Sequence, residues 1–135
     1  MENQEKTSTT RIEVRYAETD QMGVVHHSVY AVWFEQARTD FFRKVVGTSY
    51  AEIEKEGFVS PVLELNVRFR NSTHYGEFVD VETSLVRESK IQFRFNYKLT
   101  VEGKLCATGS TLHCFVKNGM PTRELPKSVE KLLEG

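Results

Sequence analysis

The stretch that decides the fold is Val29-Tyr30-Ala31-Val32-Trp33-Phe34-Glu35-Gln36-Ala37-Arg38-Thr39-Asp40-Phe41-Phe42-Arg43-Lys44-Val45-Val46. It contains neither Gly nor Pro, and Tyr30, Trp33, Phe34, Ala37, Phe41 and Val45 recur at helical spacing. Val29, Phe42 and Val46 widen the apolar stripe, while Gln36, Asp40, Arg43 and Lys44 supply a polar side. Ser28 or a neighbour is placed to cap the start, and Gly47 stands just past the end. A stripe this broad and aromatic predicts a helix covered over much of its circumference.

Working outward, Ser49-Tyr50-Ala51-Glu52 has the pattern of a capping box, and Gly57 is a stop for the short helix it opens. Beyond Gly57 the apolar period changes to two. Leu63, Leu65, Val67 and Phe69 alternate with polar residues, then Val79, Val81, Thr83 and Leu85, then Ile91 through Val101. Glu102-Gly103 reads as a hairpin turn, and Cys106–Val116 as the last long strand, ending at Lys117-Asn118-Gly119. Pro126–Leu133 reads as a short helix. On the N-terminal side, Ile12, Val14 and Tyr16 alternate with Arg11, Glu13 and Arg15, which predicts a half-buried strand over Arg11–Ala17. Met1–Thr10 reads as a frayed arm. One strand, one long helix and four strands joined by short turns make an α+β pattern of antiparallel hairpins wrapped around the helix.

The chain has 135 residues, with 39% hydrophobic and 27% charged residues, which argues against wholesale disorder. Eighteen Lys and Arg against 19 Asp and Glu leave a net charge of -1, so the basic excess of a nucleic-acid binder is missing. There is no apolar run of bilayer length and no apolar signal-peptide core, so the expected location is the cytoplasm. Cys106 and Cys114 are too few for a Cys-rich zinc site; on one strand they lie beyond disulfide reach and read as reduced core thiols.

No phosphate loop, dinucleotide-binding glycine motif, nucleophile elbow or H-E-x-x-H zinc motif occurs. The segment that suits a site is Arg15–Tyr30, between the first strand and the long helix. It sets a carboxylate, Asp20, on a loop leading to a helix N-terminus, where backbone N–H groups are free and the dipole is positive. A base or nucleophile beside an oxyanion site is what acyl transfer needs. The plain alternative for Asp20 is a turn residue bonding its own loop, and for Glu18 a solvated strand-end charge. His26 and His27 are adjacent without further ligands at zinc spacing. His74 and His113 read as structural or exposed. Glu35 and Arg38 form an exposed i, i+3 pair unless the wrapped helix turns one side of it to a cleft or a partner. Lys90, Arg68, Arg70 and Arg87 are candidates for phosphate contacts.

Tyr16-x-x-Thr19-Asp20-x-x-Gly23-Val24-Val25-x-His27-x-x-Tyr30, followed by Trp33-Phe34-Glu35-x-Ala37-Arg38, resembles the signature of the hot-dog-fold acyl-CoA thioesterases. The group most resembled is that of 4-hydroxybenzoyl-CoA thioesterase and the Tol–Pal-associated acyl-CoA thioesterase; Leu125–Val129 is similar to its C-terminal segment. The resemblance implies one hot-dog domain over residues 11–135 behind a flexible arm at 1–10, with a sheet of about five antiparallel strands wrapped around one long helix. It implies hydrolysis of an acyl-CoA thioester to CoA and a carboxylic acid, with no metal or cofactor. Asp20 would be the catalytic carboxylate, as nucleophile through an anhydride or as general base. The backbone N–H at His27 would polarise the carbonyl. Gly23, Val25, Tyr30 and Ser60 fall at substrate-binding positions, and Lys90 falls where relatives set basic residues against the nucleotide phosphates. The substrate would be presented by CoA or by an acyl-carrier protein. A homodimer or homotetramer would form, with sites between subunits. His26 departs from the pattern, since relatives often carry an aromatic there. Two rival functions use the same residues: a non-catalytic acyl-CoA or acyl-carrier binding module, and an acyl-thioester dehydratase or hydratase using His27 and Asp20.

Overall fold

The computed structural model describes residues 6–133. The aromatic stretch forms α1, Val29–Phe41, which runs straight into a π-helical turn over Phe42–Val46. The turn closes where the Gly47 N–H donates to the Phe42 carbonyl at 2.8 Å, and Gly47 takes a left-handed φ of 83°. The start differs from expectation. Ser28 makes no side-chain cap; its N–H donates to His26 Nδ1 at 3.2 Å and its Oγ lies 2.8 Å from the same atom.

Five long strands pack side by side, all antiparallel. They are β1 (Thr7–Glu13), β3 (Val62–Phe69), β4 (Phe78–Arg87), β5 (Gln92–Val101) and β6 (Lys104–Lys117), in the spatial order β1-β4-β5-β6-β3. Two short strands, β2 (Phe58–Val59) and β7 (Met120–Thr122), pair with the C-terminal end of β6. A short helix, α2 (Tyr50–Lys55), is capped by Ser49, whose side chain accepts the Glu52 N–H. Another, α3 (Glu130–Leu133), follows a 3-10 turn. The β5–β6 turn has φ of 50° at Glu102 and 82° at Gly103, the sign pattern of a tight hairpin that follows the strand twist.

This is the α+β hot-dog architecture, with the sheet curved around α1. Trp33, Phe34, Phe41 and Phe42 are buried against Val79, Val81, Phe93, Phe95, Tyr97 and Leu99. Each large side chain so covered contributes about 1.5–3 kcal/mol. Phe34 stacks on Tyr97 with ring centroids 4.2 Å apart. It approaches β6 so closely at Gly109 that a Cβ there would sit 2.5 Å from the Phe34 ring and 2.6 Å from the Asn66 carbonyl oxygen. Cys106 and Cys114 are both free and buried.

Three expectations need correction. The first strand begins at Thr7, inside the segment read as an arm, because Ser8 and Thr10 are its inward residues and carry no apolar signal. Residues 1–5 of that segment lie outside the described residues. The strand also ends early: the chain turns into a 3-10 helix at Tyr16–Glu18, and Tyr16, expected inward, is 77% exposed. Finally, β3 and β4 do not form a hairpin. β3 lies beyond β6 at the sheet edge, so residues 70–77 must cross about 14 Å, three strand spacings. Its apolar alternation is real but largely uncovered, with Leu63, Leu65 and Phe69 exposed.

The crossing segment fixes the site loop. The Arg70 and Asn71 N–H groups donate to the Cys106 carbonyl at one side of the sheet. On the other, Val25 N–H donates to Thr73 O, Val14 N–H to Glu77 O, and Val24 pairs with His74.

Candidate active site

Asp20 lies exposed in the loop between β1 and α1. The loop is a closed turn. Asp20 N–H donates to Val24 O (2.9 Å), and Gly23 N–H donates back to Asp20 O (3.0 Å). The side chain joins in, since Oδ1 accepts the N–H groups of Met22 (2.8 Å) and Val24 (3.2 Å). The turn-residue reading of Asp20 therefore describes one oxygen. Oδ2 has no partner among the described residues, so the same contacts that orient the carboxylate leave an acceptor facing solvent. Gly23 has a φ of 78° and open space around its Cβ position. Its requirement is conformational: a side chain in left-handed backbone costs about 1–2 kcal/mol.

Behind the loop stands Glu18, whose solvated reading is overturned. It is buried; its Oε1 accepts the Arg15 N–H at 2.8 Å and its Oε2 accepts the Trp33 indole N–H at 3.2 Å. The Glu18 carbonyl accepts the His26 N–H at 3.0 Å. Glu18 thus ties the loop to the first turns of α1. No residue spacing announced this; Trp33 was legible only as a core aromatic.

At the helix start, His27 is exposed and its ring lies tilted by 31° against that of His26, with centroids 4.2 Å apart. Its N–H has no acceptor among the described residues, while the next N–H groups are bonded: Val29 to His26 O and Tyr30 to His27 O. An N–H without an acceptor at the positive end of a helix suits a developing oxyanion. Val25 and Tyr30 belong to the loop's foundation. Val25 is in the core, and the buried Tyr30 hydroxyl lies 2.8 Å from Thr73 Oγ1, with burial raising its pKa. In this chain both anchor the loop.

Ser60 sits elsewhere, half-buried in a cleft of about 1020 Å³ between α1 and the α2–β2 segment. Its Oγ is 3.3 Å from His113 Nδ1. His113 is fully buried, and burial followed by the nearby Arg38 charge pushes its pKa down to about 4, so the ring is neutral. Its Nε2 lies 2.8 Å from Thr111 Oγ1, which lies 2.6 Å from the Tyr97 hydroxyl, which in turn accepts from Arg38 at 3.4 Å. This chain of polar groups was missed as a unit. Its signal was Thr111 and His113 sharing the inward parity of β6. Lys90 is exposed in the β4–β5 turn, where its carbonyl accepts from Arg87 at 2.6 Å. Within one chain the loop and helix start gather Asp20, Gly23 and His27; Ser60 and Lys90 lie apart from them. Among the described residues no cluster of three or more metal-ligating side chains occurs.

A family model described as the thioesterase-like superfamily matches residues 14–133. The chain belongs to that superfamily. Within it, the chain is 38% identical over 110 residues to the "Putative acyl-CoA thioesterase YneP" of Bacillus subtilis (strain 168), covering 81% of this chain and 79% of that one. A solved structure named DHNA-CoA thioesterase from Staphylococcus aureus superposes with a TM-score of 0.81 at 42% identity, covering 93% of this chain and 82% of the other. The Tol–Pal group enters only distantly. The acyl-CoA thioesterase YbgC of Haemophilus influenzae (strain ATCC 51907 / DSM 11121 / KW20 / Rd) is 27% identical over 88 residues, 65% of each chain.

Proposed function

We propose that this protein hydrolyses an acyl-CoA thioester to CoA and a free carboxylic acid. The observation that carries the reading is the pairing of Asp20, held through Oδ1 with Oδ2 free, with the free His27 N–H at the start of α1. In the general-base form, Asp20 takes a proton from water as the water oxygen attacks the thioester carbon. The carbonyl electrons move onto oxygen, where the His27 N–H stabilises them. Collapse expels the CoA sulfur, which receives the proton from Asp20. In the nucleophilic form, Asp20 attacks directly, CoA leaves, and water hydrolyses the resulting anhydride.

The names of the similar proteins support the reaction class, and the Staphylococcus aureus relative makes DHNA-CoA the first substrate to assay. Ser60 and Lys90 retain binding roles in this reading, at the acyl group and the nucleotide phosphates. The test is thiol release from DHNA-CoA and from short, long and other aromatic acyl-CoAs, with wild type beside Asp20→Ala. The expected result is turnover that falls roughly 10²-fold or more in the variant. Undiminished turnover in a folded Asp20→Ala protein removes Asp20 from the mechanism, and ligand binding without thiol release replaces hydrolysis with a binding module.

A further inference from the structure

Three short runs of chain meet beside the start of α1 and build a small antiparallel sheet. The Glu18 carbonyl accepts the His26 N–H, Thr19 pairs with Val25, and Asp20 N–H donates to Val24 O. Along the other side of 24–26 runs the crossing segment. There Val24 pairs with His74, Val25 N–H donates to Thr73 O, and Tyr75 N–H donates to Gly23 O at 3.2 Å. Asp20 and His27 therefore belong to the two arms of one hairpin, and its ladder sets their separation. The ladder does not set how the hairpin sits on the helix.

Two side-chain hydrogen bonds join this sheet to α1. Trp33 Nε1 donates to Glu18 Oε2 at 3.2 Å, and the Tyr30 hydroxyl lies 2.8 Å from Thr73 Oγ1. Tyr30 and Trp33 are neighbours on the helix, with ring centroids 5.2 Å apart. The Thr73 bond holds the outer strand. The Glu18 bond holds the arm that carries Asp20, two residues away.

Glu18 is only 7% exposed, and Arg15 supplies its remaining contacts, from its N–H at 2.8 Å and its guanidinium at 3.1 Å. Every contact comes from an N–H donor, which matches an ionised carboxylate, an acceptor only. A buried ionic group commonly adds little stability over a packed apolar side chain, whereas its directed bonds can select one arrangement.

We propose that Glu18 is a positioning residue for the reaction, setting the Asp20–His27 hairpin on α1 through the Trp33 indole. It acts through Asp20 and His27 and not on the substrate. The proposal rests on the hydrolase reading above and adds to it the group that holds base and oxyanion donor in place. Reaction geometry is sensitive to such placement: a shift of about 1 Å at the reacting atoms can cost roughly 10²-fold in rate.

The test compares Glu18→Gln, Trp33→Phe, the double variant and Thr73→Val with wild type, at a temperature where all are folded. In Glu18→Gln the new amide NH2 must face one of the N–H donors, so the bond to Trp33 or to Arg15 is lost. Thiol release from an acyl-CoA that wild type hydrolyses is expected to lose roughly 10-fold or more in kcat in each of the first two variants, with KM within about twofold. The double variant is expected to fall no further than the worse single one, since both remove the same contact. Thr73→Val loses the other bond and stability with it, and is expected to keep kcat within about twofold. Amide exchange at Asp20 and His26 is expected to quicken in Glu18→Gln.

Undiminished kcat in Glu18→Gln overturns the proposal, as do additive losses in the double variant. An equal loss of kcat in Thr73→Val also overturns it, because general loosening would then explain the effect. Should Glu18→Gln fail to fold, Trp33→Phe decides from the other end of the same bond. The two readings separate. Thiol release that depends on Asp20 but not on Glu18 keeps the hydrolase and removes the positioning role. No thiol release from any ester sinks the hydrolase and, with it, a role for Glu18 in that reaction, even where amide exchange shows that Glu18 seats the hairpin.

Discussion

At the scale of single residues, the site depends on carboxylates with divided duties. Asp20 uses one oxygen to brace its loop and leaves the other free, so Asp20→Asn should separate the two. The amide oxygen can still accept from Met22 and Val24, and the thermal midpoint should stay near wild type, while thiol release falls roughly 10²-fold or more. Glu18 is the buried anchor. Glu18→Ala strands the Trp33 indole N–H and the Arg15 N–H, and should cost about 1–3 kcal/mol for a buried donor left unmatched, read from denaturant unfolding. His113 gives the fold a pH dependence. Its pKa is about 4 in the folded protein, against an ordinary value of 6.5. Between those values the unfolded chain binds the extra proton, so stability is full above pH 6.5 and falls as the pH drops toward 4. At about 1.4 kcal/mol per pH unit the loss is on the order of 3 kcal/mol. His113→Gln should flatten that part of the stability profile; an unchanged slope would assign it to other groups.

At the scale of elements, α1 was legible because its aromatic spacing and terminal Gly47 agree, and β5 because its five inward residues, Phe93 to Val101, alternate without interruption. The start of β1 was hidden, since Ser8 and Thr10 look inward but are polar. Thr10 earns its place through a 2.5 Å bond to Asp40, thirty residues away, which no local pattern shows. Strand pairing was hidden for a different reason. Alternation marks a strand but not its neighbour, so the crossing of 70–77 from β3 to β4 had no local signature. Of the site, Asp20 and the helix start were readable because they are contiguous. Arg38 and His113 were not, since their meeting depends on β6 lying beneath α1. That closeness predicts a steep effect at Gly109. Gly109→Ala forces Phe34 and β6 apart and should lower stability by about 1–3 kcal/mol, measured by thermal or denaturant unfolding.

At the scale of the whole molecule, β3 is the open question the fold poses to its surroundings. It pairs with β6 on one side only, and Leu63, Leu65 and Phe69 lie exposed along it. Apolar edge strands need covering. A homodimer or homotetramer is expected, and light scattering at micromolar concentration should give a multiple of 15.6 kDa. Charge introduced at Leu65 should shift the mass toward the monomer if β3 is the contact. No helix among the described residues is long and apolar enough to cross a membrane.

The order of the strands has a consequence for how the chain is made. β6 holds β5 and β3 together and supplies the glycine on which Phe34 rests, yet it follows the end of the helical stretch by about 60 residues. At a synthesis rate of about 5–20 residues per second, that is a delay of roughly 3–12 s. Throughout it the nascent aromatic stripe has at most the part of its floor that β4 and β5 supply, so this protein's exposure to aggregation during translation lasts until the glycine that seats Phe34 has been made.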